Sequence, residues 1–276
     1  MGPFVRAALI LRFDMKRNVL ITGATSGIGL AMAKKFTAEG DRVYAIARRE
    51  AELPEGAVFI PCDVTDPAAC LEAVSSVKRE AGGIDILINN AGFGISGAVE
   101  FTELEDARRQ FEVNFFGMVN MTKAVLPVMR AAGGGRVINM SSVAAVTPIP
   151  YQTFYSASKA AINCYTMALQ NEVRAFGVKV SALMPGDVKT GFTAARKKSS
   201  EGADVYPALD RSVRRMEHDE QNGMSPDQLA KRAYSISKKR SPKPLYSCGV
   251  SYRLFCVLAK LLPNRFVNWI LGKLYG

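Results

Sequence analysis

The sequence predicts an α/β fold with a doubly wound parallel sheet and helices on both faces. Short apolar runs of strand length alternate with helical stretches from Asn18 to Met184. A glycine-rich turn joins the first of these runs to the first helical stretch. The 276 residues are 48% hydrophobic, which is enough to bury one large core. Alternation of this kind implies βαβ units and a parallel sheet, so we expect one domain over residues 18–276.

Residues 1–17 are predicted to be an N-terminal extension. Phe4 to Leu11 is an apolar run that also holds Arg6, and it is too short to cross a membrane as a helix. No small-residue cleavage site follows it, which argues against a secretion signal. We expect Met15 to be the natural start, with a weak N-terminal membrane contact as the competing interpretation.

The first predicted strand, Asn18–Thr22, runs directly into the glycine-rich turn. Ile28, Met32 and Phe36 then recur at helical spacing, and Gly40 is placed where a helix would end. The turn therefore lies between a buried strand and a helix N-terminus, where backbone N–H groups and the helix dipole hold phosphate. We expect it to bind a dinucleotide pyrophosphate, and a turn without ligand is the competing interpretation. Its residues at this candidate site are Gly23, Thr25, Ser26, Gly27, Ile28 and Gly29.

The glycine spacing is G-x-x-x-G-x-G, which differs from the common G-x-G-x-x-G pattern. Each glycine has its own expected task. Gly23 permits the tight turn, Gly27 lets the backbone approach the pyrophosphate, and Gly29 lets the helix pack closely on the strand.

The end of the second predicted strand indicates which dinucleotide binds. Val43–Ala47 is followed by Arg48 and Arg49, with no carboxylate at the tip of the strand. An NAD site usually carries an acidic residue there for the ribose 2′-hydroxyl, whereas a guanidinium forms paired hydrogen bonds with a 2′-phosphate. The pattern favours NADP(H) over NAD(H), and a solvated arginine loop is the competing interpretation.

Tyr155 and Lys159 are four residues apart in a helical stretch, so their side chains share one face. A lysine cation about 4 Å from the phenol would favour the ionised form by roughly 4 kcal/mol, which would lower the tyrosine pKa toward neutral pH. Ser142 follows the apolar strand Val137–Met140, at the carboxyl edge where such sheets bind ligands. The competing interpretations are an ordinary half-buried helix face and a serine that caps a turn.

These motifs together resemble the short-chain dehydrogenase/reductase family, over roughly Asn18 to Thr190. Ser142 lies thirteen residues before Tyr155, the interval typical of that family. The resemblance implies a Rossmann-type sheet with a C-terminal substrate lid, and transfer of a hydride between NADP(H) and a secondary alcohol or ketone carbon. The matching motifs are Thr22–Gly29, Asn89–Gly92, Asn114, Ser142, Tyr155 with Lys159, and Pro185–Thr190.

The resemblance also implies catalytic roles. Ser142 would hydrogen-bond the substrate carbonyl oxygen, and Tyr155 would exchange the proton with it as general acid or base. Lys159 would lower the pKa of Tyr155 and hold the nicotinamide ribose. Asn114, within the helical stretch Phe111–Leu126, would hold a water that links the lysine to solvent.

The remaining cofactor contacts follow from the same resemblance. Asp63 would bond the adenine amino group and Val64 would flank the ring, although an aspartate after a strand is just as often a turn or helix cap. Asn90, Ala91 and Gly92 would lie against the adenine ribose. The loop that would receive the nicotinamide contains Pro185, Gly186, Val188 and Thr190.

Positive charge is concentrated in the last third of the chain. Residues 1–190 hold 20 Lys+Arg and 18 Asp+Glu, whereas residues 191–276 hold 16 and 7. We expect residues 191–225 to form a lid over the substrate. The basic and apolar segment 250–276 is expected to close the cleft or to pack in a homodimer or homotetramer, with peripheral membrane contact as the alternative. No nucleic-acid partner is expected, because no binding motif accompanies the charge.

The cysteine and histidine content argues against disulfides and metal. The five cysteines form no C-x-x-C pair and are odd in number, and His218 is the only histidine. We therefore expect reduced core cysteines in a cytoplasmic protein without a metal site.

Within the family, the chain resembles the 17β-hydroxysteroid dehydrogenase-like branch, which includes acyl-dihydroxyacetone-phosphate reductases. Arg48, the stretch Pro150–Phe154 before Tyr155 and the extended C-terminus carry this finer resemblance. It implies a bulky apolar substrate, either a hydroxysteroid or a lipid ketone. Two competing functions come from other classes: a non-catalytic NADP(H)-binding sensor or scaffold, and a lipid-surface binding module.

Overall fold

The computed structural model describes residues 16–276, so the apolar run at residues 4–11 and the expected start at Met15 lie outside the described residues. Within residues 16–276 the strands are β1 (Asn18–Thr22), β2 (Arg42–Ala47), β3 (Val58–Pro61), β4 (Ile86–Asn89), β5 (Ile95–Ser96), β6 (Gly135–Met140), β7 (Val178–Met184), β8 (Lys197–Lys198) and β9 (Leu245–Ser247). Seven of them form a parallel sheet in the order β3-β2-β1-β4-β6-β7-β9. The predicted α/β sheet is confirmed.

Helices cover both faces of this sheet. They are α1 (Gly27–Ala38), α2 (Pro67–Ala81), α3 (Leu104–Phe111), α4 (Gly117–Ala131), α5 (Thr153–Glu172), α6 (Phe192–Ala195), α7 (Leu209–Gln221), α8 (Pro226–Ser237), α9 (Val250–Leu261) and α10 (Asn264–Tyr275). Helices α1 and α8 supply buried side chains to the core on one face, and α2, α4 and α5 supply them on the other. The core therefore has two layers, one on each side of the sheet.

The first strand is apolar because both of its faces are covered. Val19 and Ile21 are buried in the layer of α1 and α8, and Leu20 is buried in the opposite layer. A strand covered on both faces needs no alternation of polar residues, which is the pattern of a buried parallel sheet. Strand order diverges at β1, because β2 lies on one side and β4 on the other. Sheets of this type bind ligands at such a point, outside the carboxyl ends of the strands.

The single helix predicted at Phe111–Leu126 is divided in the structure between two α-helices and the π-helical turn that joins them. Helix α3 ends at Phe111, a single π-helical turn covers Glu112–Phe116, and α4 runs from Gly117 to Ala131. Apolar periodicity does not reveal a π turn, because the turn shifts the helical register without interrupting the helix.

The predicted lid, residues 191–225, folds into α6, β8 and α7. Strand β8 pairs in parallel with β5, with Ile95 opposite Lys197 and Ser96 opposite Lys198. Lys197 also donates from Nζ to Asp106 Oδ1 at 2.7 Å. These contacts hold the lid against the segment after β4. Strand β8 was not predicted, because two consecutive lysines are not typical of a strand.

The C-terminal helices lie against the lid. The Tyr275 hydroxyl donates to Asp219 Oδ2 at 3.2 Å, and Arg211 Nη2 donates to the Gly276 carbonyl oxygen at 2.5 Å. No helix within residues 16–276 is long and apolar enough to cross a membrane. The same residues contain no group of three or more His, Cys, Asp or Glu side chains that could hold a metal ion. Four of the cysteines are buried, whereas Cys164 is exposed on α5 and is not a core residue.

Candidate active site

The glycine-rich turn leaves the N-terminus of α1 open at the carboxyl end of β1. Gly23 and Gly27 have φ values of 64° and 50°, a conformation that favours glycine. A Cβ at Gly29 would lie 2.1 Å from the Gly23 carbonyl oxygen, so only glycine lets the helix approach the turn this closely. Ser26 is the N-cap but makes no side-chain hydrogen bond to the first turn. The open N-terminus fits a phosphate group. The other two candidate residues of the turn are half-buried, namely Thr25 and Ile28.

Thr22 joins the carboxyl ends of β1 and β4. Its Oγ1 accepts hydrogen bonds from the backbone N–H groups of Asn90 and Ala91, at 2.9 and 3.0 Å. Asn90 Nδ2 donates to the carbonyl oxygens of Thr22 at 3.0 Å and Gly23 at 3.2 Å. These bonds hold Asn90 and Ala91 beside the glycine-rich turn. Thr22 begins the family motif Thr22–Gly29, but no role was predicted for its hydroxyl.

Two exposed arginines, Arg48 and Arg49, follow β2. Asp63 follows the neighbouring strand β3, and Arg109 Nη2 of α3 lies 3.8 Å from its Oδ2. Burial acts to raise the pKa of Asp63, but hydrogen bonds from Thr65 and the charges of Arg109 and Arg48 hold it below its usual value. Arg48 and Arg109 therefore share one edge of the cleft, and Arg109 was missed because its position in a charged helix looked solvated.

Asp63 does not cap a helix. Asp66 caps α2, and its Oδ1 accepts from two backbone N–H groups of the first turn at 2.8 and 3.2 Å. Asp63 Oδ1 instead accepts from the backbone N–H and the hydroxyl of Thr65, at 3.0 and 2.8 Å. Val64 is buried, and a Cβ at Gly117 would lie 2.6 Å from its Cγ2. The segment after β3 is therefore held against the start of α4.

Ser142, Tyr155 and Lys159 converge at the carboxyl end of β6. Ser142 Oγ accepts from the Ala144 N–H at 3.1 Å, and its hydroxyl is close enough to the phenol of Tyr155 to influence the titration of that group. Lys159 Nζ lies 5.6 Å from the centroid of the Tyr155 ring and donates to the Met140 carbonyl oxygen at 2.9 Å. The fold thus brings these three side chains together at the ligand-binding edge of the sheet.

Burial controls the titration of this group. It raises the pKa of Tyr155 to about 12, although the nearby Ser142 hydroxyl acts in the opposite direction. Burial also lowers the pKa of Lys159 to about 8. The sequence predicted that Lys159 would lower the pKa of Tyr155, and the structure differs. Its ammonium group bonds a backbone carbonyl, and desolvation of the phenol outweighs the favourable contributions.

Asn114 lies buried in the π-helical turn and is bonded to the segment after β4. Its Oδ1 accepts from the Phe93 N–H at 2.9 Å, and its Nδ2 donates to the Phe93 carbonyl oxygen at 3.0 Å. Nδ2 also lies 3.3 Å from Ser158 Oγ on α5. A Cβ at Gly92 would be 3.0 Å from Asn114 Oδ1 and 3.7 Å from Lys159 Nζ. Asn114 therefore anchors this segment beside the lysine, from a type of turn frequent at functional sites.

The loop after β7 faces the glycine-rich turn. A Cβ at Gly27 would lie 3.5 Å from Thr190 Cβ. Asp187 accepts a hydrogen bond from the Tyr252 hydroxyl of α9, and the Tyr252 ring is so close that a Cβ at Gly186 would lie 2.3 Å from it. The C-terminal segment therefore reaches the cleft itself. The remaining candidate residues of this loop are buried, namely Pro185 and Val188.

The lid places an aromatic and a charged side chain beside the candidate acid. The centroids of the Phe192 and Tyr155 rings are 5.8 Å apart, and Arg196 Cζ lies 5.7 Å from the Phe192 centroid. Glu220 of α7 accepts from Arg196 Nη2 and, at 2.6 Å, from Thr193 Oγ1. Sequence analysis predicted the lid but none of these residues, because their run of charges looked like a solvated surface.

A family model described as short chain dehydrogenase matches residues 17–201. The chain belongs to this family. As a short-chain dehydrogenase it is an oxidoreductase that acts on alcohol or ketone groups, and the predicted family is confirmed. The finer resemblance to the 17β-hydroxysteroid dehydrogenase-like branch stays a prediction.

Several relatives of this short-chain dehydrogenase cover nearly its whole length. A 3-ketodihydrosphingosine reductase from Bacteroides thetaiotaomicron is 39% identical over 94% of this chain and 97% of its own. An NADPH-dependent 3-dehydrocapnine reductase from Ornithobacterium rhinotracheale is 30% identical over 93% of this chain and 96% of its own. The crystal structure of a short-chain dehydrogenase from Streptomyces avermitilis has a TM-score of 0.79 at 31% identity, covering 90% of this chain and 95% of that one.

Proposed function

We propose that this short-chain dehydrogenase reduces a ketone on a long-chain lipid with NADPH, using Tyr155 as the proton donor. The observation that carries the proposal is the placement of Tyr155, which lies beside the Ser142 hydroxyl and the buried Lys159. The glycine-rich turn opens at the same edge of the sheet. Cofactor and proton donor would therefore share one cleft.

The cofactor is NADP(H), as the sequence predicted. The relative from Ornithobacterium rhinotracheale is named as NADPH-dependent. In this chain the guanidinium groups of Arg48 and Arg109 lie near Asp63, and they suit a 2′-phosphate because arginine binds phosphate through paired, charge-assisted hydrogen bonds. We assign the pyrophosphate to the open N-terminus of α1, where the glycines leave room for it.

We assign the rest of the cofactor to the ends of the neighbouring strands. Asp63 and Val64 after β3 would hold the adenine, and the segment Asn90–Gly92 after β4 would hold its ribose. The loop Pro185–Thr190 would receive the nicotinamide, because it faces the glycine-rich turn across Gly27. The bonds from Thr22 to the backbone of Asn90 and Ala91 support this arrangement, since they hold the second segment in place.

Bound NADPH supplies the hydride. Tyr155 is a neutral phenol at physiological pH, because burial raises its pKa to about 12, and it can give its proton to the substrate carbonyl oxygen. The Ser142 hydroxyl can hydrogen-bond the same oxygen as negative charge develops there. Proton donation leaves a buried phenolate, which a protonated Lys159 stabilises by its charge. The arrangement suits reduction, because the resting state of the acid already carries the proton.

Two relatives support a lipid ketone as the substrate. Their names give 3-ketodihydrosphingosine and 3-dehydrocapnine as what those proteins reduce. Both align with more than nine-tenths of this chain. We propose a long-chain ketone of this kind for this protein. A hydroxysteroid ketone and an acyl-dihydroxyacetone phosphate are the competing substrates from the sequence analysis.

NADPH oxidation by the purified protein tests these substrates directly. The panel contains 3-ketodihydrosphingosine, a 17-ketosteroid and an acyl-dihydroxyacetone phosphate, and mass spectrometry identifies each alcohol product. We expect the highest kcat/KM with 3-ketodihydrosphingosine. A higher value with either competitor would replace the substrate we propose. No product from any of the three, with NADPH binding intact, would reject the reductase proposal.

We also propose that α9 and α10 contact the surface of an anionic membrane. Each helix exposes large apolar side chains at helical spacing, which forms a stripe along one face. The exposed residues are Val250, Leu254, Val257, Leu258 and Leu261 on α9, and Phe266, Trp269 and Leu274 on α10. We call these eight residues the C-terminal apolar face.

The charge around the C-terminal apolar face favours a lipid partner over a second copy of the chain. Between Gln228 and Gly276 the sequence holds ten Lys and Arg and no Asp or Glu. Arg211 and Arg215 of α7, with Lys273 of α10, line a groove of about 600 Å³ next to the face. Two such faces would repel each other, whereas lipid phosphates would be attracted.

We infer that the chain forms a homodimer or homotetramer through the outer surface of α4 and α5. Phe116 is 45% exposed at the start of α4, and Met167 on α5 and Phe176 after it are each 43% exposed. Large apolar side chains grouped in this way are typical of a subunit interface. A Met167→Glu variant should sediment as a smaller species than the wild-type protein, and unchanged sedimentation would exclude this surface.

A further inference from the structure

Arg196 stands out because its whole side chain is buried in the lid. Its exposed fraction is 0%, which is rare for an arginine. Nη2 is bonded to Glu220, but Nε and Nη1 have no hydrogen-bond partner among the residues that the structure describes. Burying a charged group with unpaired donors costs free energy, so unpaired donors of this kind call for an explanation such as a bound ligand.

The guanidinium group lies against Phe192, the lid residue whose ring contacts Tyr155. Its Cζ is 5.7 Å from the centroid of the Phe192 ring, and that ring is 5.8 Å from the ring of Tyr155. A Cβ at Gly94, in the segment after β4, would be 3.5 Å from Arg196 Nε. Arg196 and Glu220 are also close enough to influence the titration of Tyr155. The unpaired donors are therefore separated from the candidate proton donor by a single aromatic ring, that of Phe192.

The acidic groups around Arg196 already have partners. Glu220 accepts from Thr193 Oγ1 at 2.6 Å as well as from Arg196. Asp187 accepts from the hydroxyl of Tyr252, and Asp219 accepts from that of Tyr275 at 3.2 Å. The hydrogen-bonding capacity left over on Arg196 is that of a cationic donor. The ligand that completes it must bring an oxygen acceptor.

We propose that Arg196 binds an oxygen-bearing head group of the substrate, either a hydroxyl or an anionic oxygen, a few bonds from the reacting ketone. This inference rests on the proposed function, because it assumes a lipid ketone beside Tyr155. It narrows the substrate class to ketones with a polar end near the carbonyl group. A purely apolar ketone would leave Nε and Nη1 unpaired and gain nothing from Arg196.

Three ketones of equal chain length test the inference. One has a hydroxyl on the terminal carbon near the ketone, one has a sulfonate there, and one has neither. The first variant is Arg196→Met, which removes the donors. The second is Arg196→Lys, which keeps the positive charge and allows the test if Arg196→Met folds poorly. Arg214→Met is the matched control, because it removes an exposed cation on α7 of the lid.

We expect Arg196→Met to raise KM about tenfold or more for at least one oxygen-bearing ketone while kcat changes little. The ketone without a head group should keep its KM, and Arg214→Met should change the KM of none of the three ketones. Arg196→Lys should recover part of the affinity for the sulfonate. The ketone whose KM rises more in Arg196→Met shows whether Arg196 binds a hydroxyl or an anionic head group. An equal loss on all three ketones, or no loss on any, would overturn the inference.

A binding measurement separates this inference from the proposed function. The shift in Tm of the NADP-loaded protein is recorded with the hydroxyl ketone and with the sulfonate ketone, in the wild-type protein and in Arg196→Met. A shift that the substitution abolishes supports the head-group role even if turnover of all three ketones is absent, which would reject the proposed function alone. Equal shifts in both proteins, or no shift in the wild type, would overturn the head-group role.

Discussion

Lys159 lies over the ring of Tyr155, with its Nζ 5.6 Å from the ring centroid and bonded to the carbonyl oxygen of Met140. The pair shares a helix face, as i and i+4 spacing requires. The two side chains are both partly or fully removed from solvent, and burial moves the pKa of each toward its uncharged form. At rest the site thus holds a neutral phenol beside a lysine whose proton is only weakly held.

The buried lysine makes stability depend on pH. Its pKa is about 8 in the folded chain against 10.5 as its ordinary value, so between these values the unfolded state binds more protons than the native state. Stability therefore rises with pH through this window, and the penalty for the buried charge is fully present below pH 8. The shift corresponds to about 3 kcal/mol. Lys159→Met should lack this pH-dependent contribution to the free energy of unfolding.

Urea unfolding of the wild type and of Lys159→Met at pH 7 and pH 10 measures the effect. The wild type should gain up to about 3 kcal/mol relative to the variant between the two pH values. The control is Lys34→Met, which removes an exposed lysine from α1 and should show no such trend. A difference between wild type and Lys159→Met that is independent of pH would contradict the burial effect.

Arg48→Asp should weaken NADPH binding far more than NADH binding. The substitution replaces a guanidinium near Asp63 with a carboxylate, which repels the 2′-phosphate that distinguishes the two cofactors. We expect the Kd for NADPH to rise about tenfold or more, measured by cofactor fluorescence. Arg174→Asp makes the same change of charge at an exposed site after α5 and should leave both constants unaltered. Equal effects on both cofactors would remove the 2′-phosphate role from Arg48.

Gly29→Ala should disrupt the cofactor turn. The new Cβ would lie 2.1 Å from the Gly23 carbonyl oxygen and 2.6 Å from Asn90 Nδ2, so α1 must move away from the turn. We expect a loss of at least about 3 kcal/mol in the free energy of unfolding, together with loss of NADPH binding. Gly83→Ala adds the same atom where no heavy atom lies within 4 Å, and it should change stability by less than about 0.5 kcal/mol. Similar results for both variants would mean that the turn relaxes freely.

The C-terminal apolar face should bind vesicles that contain phosphatidylglycerol. We expect the full chain to float with such vesicles and to dissociate as salt increases, because screening weakens the attraction of its basic residues. Trp269→Asp should reduce the bound fraction strongly, since it places a charge on the face. Leu71→Asp alters an exposed apolar residue on α2 and should not change it. Binding to neutral vesicles of equal strength, or an unaffected Trp269→Asp variant, would argue against an electrostatic membrane contact.

The sequence predicted what depends on periodicity and spacing. Apolar runs such as Val19–Ile21 are continuous because both faces of the sheet are covered. The strands and their order along the chain could therefore be predicted from the sequence. The resemblance to the family, through the interval of thirteen residues, also implied that Ser142 and Tyr155 act on one substrate oxygen. The family comparison confirms the fold and the reaction class, while the roles of these residues stay proposals.

What the sequence could not predict depends on tertiary packing. Arg196 belongs to a charged run that looks solvated, and only the closure of α6 and α7 over the cleft buries it. Arg109 lies near Asp63 only because α3 crosses the end of β3. The partner of Lys159 is a backbone carbonyl, which no side-chain pattern encodes. Each of these features involves charged groups whose environment is set by the fold.

Turnover by Tyr155→Phe is the measurement that tests the central claim most directly. The variant removes one hydroxyl from the candidate proton donor, and the ring and its contact with Phe192 remain. NADPH oxidation with 3-ketodihydrosphingosine, or with whichever ketone the wild type reduces best, is measured alongside the Kd for NADPH. We expect kcat to fall by a factor of about 10² to 10⁴ while the Kd stays nearly unchanged. Turnover close to that of the wild type would contradict the assignment of Tyr155 as the proton donor.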